Sequence, residues 1–175
     1  MINKEKILKF TDYAPSIITV YDKDGYKLMK ELSLLVINTK NNTVLAIGIE
    51  AESALENAKA INEDERLKHG FILEDFIKGS PFRYGAVADI YWASVMFRHC
   101  LIHIKAYSYF KFRQPNIAVC APIDMTQVEL NALVESVHLA GTKKVLIIEE
   151  PYEKVTYDIP SMYKYVIEIT SNQMG

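Results

Sequence analysis

Two short, continuously apolar runs joined by a capped helix, all within residues 115 to 151, restrict this chain more than any other feature. Pro115 opens the run Ile117 to Cys120 and Ala121-Pro122 closes it, which predicts a buried strand. Thr126 stands three residues before Glu129, the spelling of a capping box. Val128, Leu133, Val137 and Ala140 then recur at helical spacing up to a stop at Gly141. Lys143-Lys144 lead into Val145 to Ile148, a second apolar strand. Strand, helix and strand in this order predict a βαβ unit whose strands are parallel and buried on both faces.

The first fifty residues read differently, as a meander of strands. Ile7 to Thr11 is short and apolar, and Ser16 to Tyr21 is β-branched. Asp22 to Gly25 spells a tight turn into Tyr26 to Glu31. Leu34 to Ile37 and Thr43 to Ile47 flank a second turn at Asn41-Asn42. Glu50 to Lys59 is rich in helix formers, 62 to 70 reads as a solvated connector, and Phe71 to Phe76 is a short apolar piece. Ala86 to Tyr107 predicts a long helix, apolar on several faces and so packed in the core. Tyr163 to Thr170 is a last strand.

At 175 residues, 50% apolar and 24% charged, the chain predicts one soluble globular domain. A formal net charge of −2 supplies no basic field, so nucleic acid is not an expected partner. Cys100 and Cys120 lack C-x-x-C companions and read as reduced, buried thiols of a cytoplasmic protein. Residues 1 to 10 alternate charged and apolar side chains without a signal-peptide core. The helix predicted over 86 to 107 carries Asp89, Arg98, His99, His103 and Lys105, too much charge for a transmembrane segment. His99 and His103, four apart, offer two imidazoles without the acidic partner of a zinc motif, so no metal site is assigned. Tyr107, Tyr109, Phe110 and Phe112, interleaved with Lys105, Lys111 and Arg113, spell a stacking surface for a single strand, or more simply a half-buried helix end.

The stretch CAPIDMTQVELNALVESVHLAGTKKVLIIEEP resembles the bacterial actin-like rod-shape family, MreB, in which a C-V-P turn, a T-x-V-E helix start, an A-G stop and an L-I-E-E-P strand end recur in that order. VYDKDGYKLMKELSLLVINTKNNTVLAIGIEAESAL and KHGFILEDF are also similar to the family, so the likeness runs over roughly 10 to 151. The resemblance implies an α/β fold of the actin, ribonuclease-H-like kind: a mixed sheet with an antiparallel meander followed by βαβ crossovers, and helices packed on the sheet. It implies one actin-like domain over 1–175, matching the first half of a two-domain family member.

The resemblance also locates three acidic residues. Asp12 falls on the aspartate of the first phosphate loop, Glu168 on that of the second, and Glu129 on the glutamate that positions the attacking water. The surroundings depart from the family. Asp12-Tyr13-Ala14-Pro15 replaces D-x-G-T, and proline has no N–H to offer a phosphate. Thr170, Ser171 and Asn172 replace the glycines of the second loop. Glu129 has a sufficient structural duty in its capping box, and Asp12 in a turn at a strand end. The chain is therefore expected to be a non-catalytic interaction protein of the cytoskeleton and cell shape, without a cofactor, pairing with a protein partner or with itself. The alternative is one half of an ATP- and Mg-binding ATPase completed by another chain.

Overall fold

The structure, a computed structural model, describes residues 15–155 and 159–172. Among the described residues ten strands and four α-helices follow in the order β1 (Ser16–Asp22), β2 (Lys27–Leu32), β3 (Leu35–Asn38), β4 (Val44–Ile47), α1 (Ile49–Lys59), α2 (Glu63–Lys68), β5 (Phe76–Gly79), β6 (Phe82–Arg83), β7 (Ala86–Val87), α3 (Ile90–His103), β8 (Asn116–Cys120), α4 (Gln127–Gly141), β9 (Lys144–Ile148) and β10 (Tyr165–Ser171). The expected strand at Ile7 to Thr11 lies outside the described residues.

The main sheet has five strands in the order β2-β1-β10-β8-β9. β1 runs antiparallel to β2 and β10, while β10, β8 and β9 are parallel, so the sheet is mixed. The last strand thus fills the central slot and joins the meander to the βαβ unit. α3 and α4 cover one face, and Ile18, Val20, Phe97, Leu101, Ile117, Leu133, Val137 and Ile167 fill the core beneath them. Ala118, Cys120 and Val166 face the other way and are covered by the connection from β9 to β10, through Tyr152, Val155, Ile159 and Tyr163.

A second, three-stranded antiparallel sheet, β4-β3-β5, carries α1, whose Ala51 packs with Leu34 and Val36. The joint between the sheets is polar and buried. Ser33 Oγ, 2.8 Å from Ser80 Oγ, accepts from Ser16 N–H at 2.7 Å, and all three serines are buried.

Several expected boundaries move. The connector at 62 to 70 contains α2, capped by the Asn62 side chain accepting from Asp64 N–H. The long helix starts at Ile90, where Asp89 caps Trp92 N–H, because residues 82 to 87 first form a small hairpin through Tyr84 and Gly85, both at positive φ. It ends at His103, and Lys105 turns left-handed. β9 is an edge strand and only partly buried, and Val128 is exposed because the buried face of α4 runs through Leu133, Val137 and Ala140.

Candidate functional site

The two described acidic positions lie towards the carboxyl ends of the parallel strands, where open α/β sheets bind ligands. Glu129 is the third residue of α4. Its carboxylate accepts from Thr126 N–H at 2.7 Å and from Thr126 Oγ1 at 2.8 Å, while Thr126 Oγ1 accepts from Glu129 N–H. The capping box is complete, and these bonds hold the Glu129 carboxyl below its usual pKa. Glu129 also lines a cavity of about 570 Å³ with Arg83, Tyr84, Pro122, Asp124 and Met125. Two rim residues, Tyr84 (φ 51°) and Asp124 (φ 70°), are left-handed. Gly85 is required there, since a Cβ would come within 2.6 Å of Pro122 Cγ.

Glu168 is placed elsewhere. Ile167 and Ile169 enter the main core, so Glu168 points to the opposite face, with Val166. Its carboxylate accepts from Tyr152 N–H at 2.9 Å and lies 3.5 Å from the Tyr21 hydroxyl. The Tyr21 and Tyr152 rings stack at 3.8 Å. Burial, then the Glu168 charge, pushes the Tyr21 hydroxyl pKa up. Burial, again reinforced by Glu168, pushes the Cys120 thiol up to about 12. Glu168 does not line the cavity that Glu129 borders, and each carboxylate is engaged by neighbouring protein groups. Asp12 lies outside the described residues.

His99 and His103 bring their ring centroids to 6.5 Å, and burial lowers the His99 pKa. No group of three or more residues able to ligate a metal gathers there or elsewhere among the described residues.

The exposed chemistry is concentrated after α3. Ala106 N–H and Tyr107 N–H both return to Leu101 O, at 2.8 and 3.1 Å, and fix the root of the loop. The Tyr107 ring packs beneath Gly141 and under the Arg98 guanidinium, which itself donates to Leu139 O at 2.7 Å. From this braced root three rings project outward: Tyr109 is 85% exposed, Phe110 56% and Phe112 72%. Arg113 lies over the faces of both Phe110 and Phe112, at 6.0 and 5.4 Å. Lys111 lies within the loop, and Lys105, Lys143 and Lys164 ring its base together with Arg113. None of these cations joins an ion pair among the described residues. The expected half-buried helix end is instead an exposed aromatic loop. Alternating aromatic and basic residues were the signal for it, and helical periodicity concealed it.

The family model described as MreB/Mbl protein matches residues 11–155. The chain belongs to the MreB/Mbl family. Among relatives, the cell shape-determining protein MreB of Pasteurella multocida (strain Pm70) is 32% identical over 109 residues, covering 62% of this chain and 31% of that one. MreB of Escherichia coli (strain K12) is 28% identical over the same length and coverage. The cell shape-determining protein Mbl of Bacillus subtilis (strain 168) is 22% identical over 140 residues, 80% of this chain and 37% of that one. This MreB/Mbl chain thus spans about a third of the relatives it matches. The crystal structure of MreB5 of Spiroplasma citri bound to ADP superposes with a TM-score of 0.54 at 21% identity, covering 79% of this chain and 36% of that one. The MamK double helical filament gives 0.50 at 14% identity, covering 81% and 40%. These likenesses show an actin-like fold, as the family resemblance implied.

Proposed function

We propose that residues 1–175 form a single actin-like domain that works by association and not by ATP turnover, and that it lies against an anionic membrane surface through its aromatic loop. The observation that carries this reading is the outward projection of Tyr109, Phe110 and Phe112 from a braced root inside a ring of basic residues without ion pairs among the described residues. Amphipathic rings enter the headgroup layer, and each basic side chain near an anionic surface adds about 1 kcal/mol of attraction. No helix of the described residues is long and apolar enough to cross a membrane, so the contact would be peripheral. Single-stranded nucleic acid suits the loop less well. Arg113 already occupies faces of Phe110 and Phe112, and Tyr109 meets Phe110 edge-on at 84°, leaving few faces for stacked bases. On the membrane the domain would pair with copies of itself or with a cytoskeletal protein partner in organising cell shape, as the family's cell shape-determining relatives and the MamK filament suggest.

A second reading keeps nucleotide. Glu129 borders an open cavity at the carboxyl end of β8, and the MreB5 relative of this fold is bound to ADP. In that reading another chain completes an ATP and magnesium site. Calorimetric titration with ATP and magnesium decides between the two. No heat at millimolar nucleotide supports the associative domain. Binding that Glu129→Ala or Asp12→Ala abolishes gives the shared ATPase site the lead.

A further inference from the structure

We propose that the basin at the amino-terminal ends of β8, β9 and β10 is a binding site for a phosphoryl group. As a lipid headgroup site it rests on the membrane reading above; as a site for phosphate chemistry it stands alone. The cavity measures about 460 Å³, and among the described residues none of those lining it is acidic. Four cations do: Lys105 after α3, Arg113 at the end of the aromatic loop, Lys143 before β9 and Lys164 before β10. They come from four separate stretches and are gathered by topology, because the three parallel strands all begin at this end. The backbone holds them in place: Lys143 N–H donates to Pro115 O at 2.9 Å, and Lys105 sits left-handed with φ 60°. Like charges crowded without counter-ions repel one another, and an anion between them relieves that repulsion. A phosphoryl group, with up to two negative charges and several acceptor oxygens, suits one guanidinium and three ammonium groups.

Asn116, on the basin wall, has its side-chain amide fixed by Nδ2 donating to Met162 O at 3.2 Å, so it reports on what enters the basin. Phe112 and Met162, both exposed and both on the basin wall, provide an apolar side on which the rest of an amphiphile can rest.

The test uses the full chain and follows the Asn116 side-chain amide by NMR. Inorganic phosphate, glycerol 3-phosphate, and vesicles of equal parts phosphatidylglycerol and phosphatidylcholine are titrated separately. The Lys143→Gln/Lys164→Gln variant is compared with Lys59→Gln/Lys68→Gln, the same charge loss on α1 and α2, outside the five-stranded sheet. Glycerol phosphate is expected to shift the Asn116 amide, at least about tenfold more weakly in the first variant and unchanged in the second, since each charge-assisted bond contributes substantially. Tyr109→Ser/Phe110→Ser should keep that response. Vesicle binding with an Asn116 amide that no soluble ester moves would overturn the site and leave the membrane reading standing. A response to soluble esters without vesicle binding would keep the site, assign it a soluble phosphate, and sink the membrane reading.

Discussion

Glu31 Oε1 accepts the Ile49 N–H at 2.7 Å, so a carboxylate on β2 of the main sheet caps the first residue of α1 on the small sheet. The capping residue itself, Gly48, has φ 73° and no side chain, and a Cβ there would collide with the Glu31 carboxyl group. Gly48→Ala should cost about 2–4 kcal/mol, from left-handed strain and a displaced cap. In a Glu31→Ala background the collision is gone, so the same substitution should cost clearly less. Urea melts of the four-member cycle check this, and strictly additive costs would contradict it.

Ser33 joins the two sheets by bonding Ser16 N–H and Ser80 Oγ in a buried place. Ser33→Ala removes the acceptor of the Ser16 N–H, while Ser80 Oγ keeps the Phe82 N–H, and should destabilise the fold by about 1–3 kcal/mol in denaturant unfolding. A neutral outcome would mean that the joint relaxes and finds other partners.

The Glu129 carboxyl has a depressed pKa because Thr126 donates to it from the backbone and then from the hydroxyl. A folded value below the unfolded one contributes stability above the ordinary carboxylate pKa of about 4.3, and loses it as pH falls through the lower folded value. The stability difference between the parent and Glu129→Gln should be flat from neutral pH to about 5 and shrink below about 4. Thermal melts across that range measure it, and a difference that grew on acidification would reverse the sign.

Burial pushes the thiols of Cys100 and Cys120 to about 12, so both stay protonated at pH 8. Neither should react with an aromatic disulfide reagent in the folded chain, and both should react promptly in denaturant. Fast labelling of native protein would place a thiol at the surface.

Much of this fold was legible where local chemistry and tertiary packing agree. The capping box at Thr126, the turn at Asp22 to Gly25 and the β8–α4–β9 unit are set by side chains within a few residues of each other. Position within a sheet is not local, and nothing in Tyr163 to Thr170 reveals that this strand enters the centre between β1 and β8. The exposed α2 has no buried residue, hence no apolar stripe to read, and only Asn62 marks it. Helical periodicity carried the long helix too far at both ends, because Val87 and Tyr107 belong to a hairpin and a loop that happen to continue the apolar spacing. Of the site residues, Glu129 was legible as a cap. The contacts of Glu168 with Tyr21 and Tyr152 span 147 and 16 positions, distances no motif encodes. The basic basin was invisible for the same reason.

The most direct test of the membrane-facing account is co-sedimentation of the chain with vesicles of equal parts phosphatidylglycerol and phosphatidylcholine, beside the Tyr109→Ser/Phe110→Ser/Phe112→Ser variant. The account predicts that the parent sediments with these vesicles and not with phosphatidylcholine alone. Salt should weaken the binding, with a screening length of about 10 Å at 0.1 M, and the variant should stay in the supernatant while melting at the parent's temperature. A parent chain that ignores anionic vesicles, or a variant that binds them equally well, would contradict it.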